Sequence, residues 1–322
     1  MATRDLRRRL MQPLLKVSFK PSVWLLQRTP VALLRLGANA FGSLGFLLIR
    51  KDRRIILGNL AVAFPERSEA DRRQIGRRSL CNVIFTFLEF IWLLRTPQKV
   101  KGYAIFRESE QEDYWNCCGR NGAAIIISPH IGNWEVGHIG MNAFGIPTST
   151  VARENRYPPF EAMLAAGRSA LGAEIMHEKG AAMGMLRALR KKRHLVMLVD
   201  QNTRPSDGGM FAPFFGLPVT VSRAPAMFAL RTNAPVTLGC CVRNPQGQLE
   251  IRVYPLPKLP REYGDELALT TAINEVTESM IREHPEQYLW IYKRWRYIPE
   301  DQPELRDKYP AYAKLYEDRR QP

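Results

Sequence analysis

"AAIIISPHIGNWEVGHIG", residues 123–140, is the stretch from which the rest of the chain is read. Ala123 to Ile127 is a short apolar run holding three consecutive isoleucines, the pattern of an interior strand. Pro129 stops it, and Gly132-Asn133 supplies a turn before a helix predicted over 133–143. His130 is thereby set at the lip of a strand, where open α/β sheets place their chemistry. Glu135 follows five positions later. In a continuous helix that spacing turns the two side chains about 140° apart, at about 100° per residue. If His130 instead precedes the helix, the carboxylate reaches back to the imidazole. It then fixes the tautomer and leaves the other nitrogen free to take a proton. The alternative is a charge pair at a helix start with no part in chemistry.

Outward from this motif the pattern alternates. Strands are predicted over 123–128, 148–152, 173–177, 194–199, 235–243 and 248–255. Helices are predicted over 133–143, 158–171, 179–191, 222–231 and 265–283. Alternation of this kind gives an α/β class, with a mixed, mainly parallel sheet flanked by helices. That body occupies residues 101–300, and a C-terminal tail, 301–322, is expected to form one short surface helix. Residues 1–100 read as a basic, apolar, helical membrane-association region, broken at Pro65, with a helix capped by Ser68.

Charge is distributed unevenly. The chain of 322 residues carries 47 basic and 31 acidic residues, a net +16. The first 54 residues hold twelve basic and two acidic side chains, so most of the excess lies in the first sixth of the chain. Such asymmetry calls for an anionic partner: a membrane, a nucleic acid or an acidic protein. The apolar run at 29–49, with Arg35 as its one charge, favours the membrane. Pro30 and three glycines weaken it as a span, leaving a single crossing and surface attachment both open. The second run, 80–94, contains Glu89 and suits a buried or interfacial helix. No small-residue cleavage site follows the apolar stretch, which argues against a cleaved signal. The five cysteines lack the spacing of a zinc or redox site, so reduced structural thiols and a cytosolic body are expected.

Further candidates cluster at the predicted strand ends. "STVARENRYPPF" (149–160) presents Arg153, Asn155 and Arg156. Arg168, inside the small apolar "AMLAAGRSALG", either binds an anion or snorkels to solvent. Asp200-Gln201 ends another strand, where an acid can orient a base or an arginine. The loop "FAPFFGLPV" (211–219) suits either an alkyl chain or ordinary core packing. "HPEQYLWIYKRWR" (284–296) interleaves rings and cations. It fits base stacking, a bilayer interface or a C-terminal strand packed on the sheet. The sequence contains no G-x-S-x-G, H-E-x-x-H, P-loop or dinucleotide fingerprint, so serine lipase, zinc hydrolase and nucleotide chemistries lack support.

Taken together, "PHIGNWE", "VARENRYPPF", "GRSALG", "LVDQN…GGMFAPFFGLPVTV" and "HPEQYLWIYKRW" resemble the bacterial lipid A biosynthesis (lauroyl/myristoyl) acyltransferases of the lysophospholipid acyltransferase superfamily. The resemblance covers nearly the whole chain, including "RRIILGNLAVAFPE". It implies transfer of an acyl group from acyl carrier protein, or from acyl-CoA, to a hydroxyl of an anionic glycolipid at the cytoplasmic face of the inner membrane. No cofactor, metal or nucleic acid is implied. The family's H-x-x-x-x-[DE] motif falls on His130 and Glu135, with His130 as base and Glu135 holding it. Its strand-end aspartate falls on Asp200, its helix arginine on Arg168 and a preceding strand-end arginine on Arg153. The two arginines would serve the oxyanion or an acceptor phosphate. The "IGNW" filling also resembles relatives acting on other glycolipids. Other acceptors, a thioesterase and a non-catalytic membrane-binding protein are the rival readings.

Overall fold

Ile125–Ile127 are buried on both faces and lie at the middle of a seven-stranded sheet, as an all-apolar strand requires. The computed structural model describes residues 18–120, 122–152, 157–177 and 181–317. In chain order the strands are β1 (Ala104–Phe106), β2 (Ile125–Ile127), β3 (Thr148–Ala152), β4 (Glu174–His177), β5 (His194–Met197), β6 (Gly209–Phe214), β7 (Leu217–Ser222), β8 (Val236–Arg243) and β9 (Leu249–Pro255). The sheet order is β1-β9-β8-β2-β5-β3-β4. β8, β2, β5, β3 and β4 run parallel, whereas β9 is antiparallel to β8 and carries β1 beside it. The sheet is therefore mixed and mainly parallel, as the alternating sequence pattern predicts.

The longer helices are α1 (Val31–Leu48), α2 (Arg50–Ala63), α3 (Glu69–Leu93), α4 (Glu108–Cys118), α5 (Trp134–Ala143), α6 (Pro158–Ser169), α7 (Ala181–Arg190), α8 (Ala224–Thr232) and α9 (Glu266–Glu283). Ser68 caps α3 as expected, its hydroxyl accepting from the Asp71 amide at 3.1 Å. The N-terminal helices are packed on the α/β body. Ser79 of α3 donates to the Tyr288 carbonyl, and Asn59 of α2 donates to the Trp290 carbonyl.

Helix α1 is long and apolar enough to cross a membrane, judged by length and composition alone. Its buried face is Leu34, Ala38, Gly42 and Phe46, spaced every four residues against α3. A Cβ on Gly42 would stand 2.7 Å from the Cys81 Cα, so the two backbones meet at close range there. Leu33, Leu36, Phe41, Leu44, Leu47 and Leu48 point outward and are exposed.

Several expectations change. The "FAPFFGLPV" stretch is an antiparallel hairpin, β6–β7, rather than an alkyl slot. Phe214, Leu217 and Val219 are buried in the core, and the Phe214 ring lies 5.6 Å from that of Trp295. The aromatic segment 288–296 is not a strand, and its Tyr288, Trp290 and Trp295 are buried. Those rings are covered by protein, so neither a base nor a bilayer reaches them. The tail forms a short surface helix of 3-10 type, Pro303–Lys308, and adds a short strand, Lys314–Leu315, paired with Tyr297–Ile298.

The turn after His130 has one steric requirement. Gly132 adopts φ +66, and a Cβ there would lie 2.0 Å from the Cys241 carbonyl oxygen. Gly132→Ala should therefore destabilise the fold by more than ~2 kcal/mol, the range of strained backbone plus steric conflict, read from urea unfolding midpoints. Gly119→Ala, also at positive φ but with open space around it, should cost less.

Candidate active site

Two strand ends create the site. β2 and β5 are parallel neighbours with Ile127 opposite Met197, so residues three positions beyond each strand also lie side by side. Those residues are His130 and Asp200. One Asp200 oxygen faces His130 Nδ1 at 2.6 Å, and the other accepts the His130 backbone N–H at 2.9 Å. Gripped at both points, the ring is held as the Nδ1–H tautomer, with a lone pair on Nε2. The side-chain amide of Gln201 donates toward that Nε2 at 3.4 Å. The Trp134 ring packs edge-to-face on the imidazole, with centroids 4.9 Å apart. Burial alone would lower the His130 pKa, but the Asp200 carboxylate, with Glu135 behind it, outweighs burial and leaves it raised. Burial likewise opposes the charge on Asp200, and His130 with Arg294 holds its pKa below the ordinary value.

Glu135 is not the partner of His130. It sits in the first turn of α5 and receives a bidentate pair from Arg168 of α6, Nε to Oε2 at 2.9 Å and Nη2 to Oε1 at 2.6 Å. The physical reason is competition: Asp200 already occupies Nδ1, and the planar guanidinium offers Glu135 two charge-assisted bonds. His130, Glu135 and Arg168 line one cleft of about 280 Å³, with Phe87, Trp134, Phe160, Leu164 and Leu289 and the polar Glu161 and Gln201 completing its wall. His130, Asp200, Glu135 and Arg168 are thus gathered at one place. Arg153, Asn155 and Arg156 lie outside the described residues. His138, the second histidine of the opening stretch, is fully buried; burial pushes its pKa down to about 4, and its Nε2 is 3.0 Å from the Thr148 hydroxyl.

The loop that carries His130 is fixed from behind by residues that sequence reasoning did not assign to the site. Asn133 caps α5, its side-chain oxygen accepting from the Val136 amide at 3.1 Å, and its amide nitrogen donates to Glu89 at 2.7 Å. Glu89, wholly buried, also accepts from Arg243 at both oxygens and from the Tyr103 hydroxyl. The amides of Ile131, Gly132 and Asn133 donate to the carbonyls of Pro129, Gln287 and Cys241. They are therefore spent on the loop itself. The one available signal was Glu89, a single carboxylate inside the apolar run 80–94. Among the described residues no three His, Cys, Asp or Glu side chains converge as metal ligands.

Residues 18–297 match the sequence model of the family described as bacterial lipid A biosynthesis acyltransferase. The chain is similar to the lipid A biosynthesis lauroyltransferase of Escherichia coli K12, 26% identical over 297 residues that cover 87% of this chain and 91% of the relative. A lipid A biosynthesis acyltransferase of Haemophilus influenzae is 24% identical over 292 residues, covering 86% and 89%. A phosphatidylinositol mannoside acyltransferase of Mycolicibacterium smegmatis is 23% identical over 185 residues, covering 56% and 59%.

Two outcomes follow from the geometry. A carbon-13 NMR titration should place the His130 pKa above the free-histidine value of about 6.5. In Asp200→Asn it should fall below that value, since burial stays and the opposing charge is gone. Glu89→Ala should cost about 3–5 kcal/mol in denaturant unfolding, because it leaves the mostly buried Arg243 without a counter-charge. Glu89→Gln, which retains some of the hydrogen bonds, should cost less.

Proposed function

The chain belongs to the family of bacterial lipid A biosynthesis acyltransferases, and we propose that it transfers a fatty acyl group from a thioester to a hydroxyl of a lipid A precursor. The observation that carries the mechanism is the His130–Asp200 pair, with His130 on the wall of a cleft lined by both aromatic and charged side chains. His130 Nε2 takes the proton of the acceptor hydroxyl as that oxygen attacks the thioester carbonyl. Asp200 stabilises the imidazolium that results. The tetrahedral intermediate then collapses, the carbon–sulfur bond breaks, and the departing thiolate takes the proton back from Nε2. General-base help of this kind contributes roughly 10²–10⁴-fold.

Donors for the oxyanion are the Gln201 amide, beside Nε2, and the Arg168 guanidinium, which Glu135 holds on the cleft wall. Glu135 in this reading orients Arg168 and adds negative potential at His130 without touching the ring. Arg153 is retained as a substrate-binding candidate on the family resemblance. The donor is an acyl carrier protein or acyl-CoA. The basic N-terminal region attracts such an acidic carrier and a phosphorylated lipid alike. The exposed leucines of α1 dip into the cytoplasmic face of the inner membrane and bring the cleft to its acceptor. The mycobacterial relative keeps a second acceptor in view, a mannosylated phosphoinositide.

The test uses purified protein in mild detergent, with labelled acyl carrier protein and either a tetraacyl lipid A precursor or a lysophospholipid. Transfer to the lipid A precursor should fall at least ~10²-fold in His130→Ala with folding intact. Asp200→Asn should lower kcat by a similar factor, with little change in KM. Transfer confined to the lysophospholipid would sink the acceptor assignment. Full activity in both variants would sink the mechanism.

A further inference from the structure

A second concavity shares no lining residue with the reaction cleft. It measures about 830 Å³, within the size range of small-ligand sites, and is formed by α1, α3, Arg107 before α4, the end of β8 and its turn into β9, β9 itself, and the segment after α9. Six arginines line it. Three of them are neutralised: Arg243 by Glu89, Arg107 by Glu250 and Arg252 by Glu110. The other three, Arg35, Arg77 and Arg78, are exposed and have no carboxylate partner among the described residues. All three stand on the α1–α3 wall. Glu283 and Glu286 stand on the opposite side, where Glu283 accepts from the Tyr254 hydroxyl. An anion entering the groove is therefore drawn to the α1–α3 wall and kept off the other.

That wall also meets the apolar surface of α1. Arg35, Asn39 and Ser43 recur every four residues and form one polar stripe along the helix. Arg77 of α3 donates to the Ser43 hydroxyl at 2.9 Å and joins the stripe. Arg35 reaches the β8–β9 turn, where a Cβ on Gly247 would stand 3.0 Å from its Nη1. On the helical wheel the stripe separates the face buried on α3 from the exposed leucines, with Leu36 and Leu47 next to Ser43. A charged pocket bordering an exposed apolar stripe fits an amphiphile whose head is anionic and whose chains lie against leucine.

We propose that the groove between α1, α3 and the β8–β9 turn binds the phosphate-bearing headgroup of a membrane lipid, apart from the reaction cleft, with Arg35, Arg77 and Arg78 holding the phosphate. The inference rests on the membrane-facing reading of α1. It adds a defined contact to that reading: one lipid phosphate, gripped by guanidinium groups suited to bidentate bonding, fixes how the cleft faces the bilayer.

The experiment is co-sedimentation of the full chain with phosphatidylcholine vesicles, with and without a minor fraction of phosphatidic acid. Wild type is compared with R35Q/R77Q/R78Q and with R50Q/K51Q/R54Q, which removes the same charge at the exposed start of α2. Circular dichroism melts confirm that both variants fold. The groove variant should lose at least ~10-fold more affinity for phosphatidic acid vesicles than the control variant. Short-chain phosphatidic acid should compete with wild-type binding, and inorganic phosphate should compete far less. Equal losses in the two variants would mean a diffuse surface charge and overturn the site. Loss of acyl carrier protein binding with vesicle binding intact would assign the groove to a protein instead. Wild type that ignores all vesicles would overturn both the site and the membrane-facing reading. Acyl transfer, measured separately in detergent, reports on the reaction alone.

Discussion

A single buried carboxylate, Glu89, ties three parts of the molecule together. It comes from α3, in the N-terminal region, and is wholly removed from solvent. Arg243, at the end of β8, bonds both of its oxygens, while Asn133 reaches it from the loop after His130 and Tyr103 from the entry to β1. Four donated hydrogen bonds and one counter-charge are what a buried carboxylate needs to remain there. Asn133 in turn caps α5, and the neighbouring Gly132 lies against the Cys241 backbone so closely that no side chain fits. The position of His130 is thus set from behind, by a polar core on the side of the loop away from the cleft.

The cleft itself is organised by two ion pairs with different geometries. His130 and Asp200 meet because β2 and β5 are parallel neighbours in matched register, which brings the third residue past each strand together. Glu135 and Arg168 meet because α5 and α6 pack against each other, with the arginine on the last turn of its helix. The first pair leaves a ring nitrogen open to the cleft. The second fixes a guanidinium on the wall beside it. Each carboxylate has its own partner in the cleft, and that division keeps the proposed base in one tautomer while a guanidinium stays within the same small volume.

The N-terminal helices serve the body and the surface at once. α2 and α3 donate side-chain hydrogen bonds to the 288–292 backbone, which passes directly behind His130; the Leu289 amide donates to the His130 carbonyl. α1 buries one face on α3 and leaves the opposite face apolar and exposed. Between these faces runs the polar stripe that borders the arginine groove. A helix with three distinct faces cannot be summarised by its average hydropathy, because buried, polar and exposed apolar residues are segregated around it.

The sequence by itself determined the class of fold, most boundaries of the α/β body and the family, and it singled out four polar residues that the fold gathers at the cleft. Strand and helix periodicities are local, and His130, Glu135, Arg168 and Asp200 sit at strand ends or on a small-residue helix where chemistry-bearing side chains stand out. What only the tertiary structure decided was pairing. Spacing alone left open whether Glu135, five residues on, reaches back to His130; strand register brought Asp200 to the ring from seventy residues away. Contacts of that range depend on which strands are neighbours, and no local pattern encodes that. The same holds for "FAPFFGLPV" and the 288–296 rings, whose composition suited a lipid and whose place in the core depends on what packs over them. Glu89 was visible as a lone charge in an apolar run, but two of its three partners, Asn133 and Arg243, come from distant parts of the chain and meet it only once the sheet has formed.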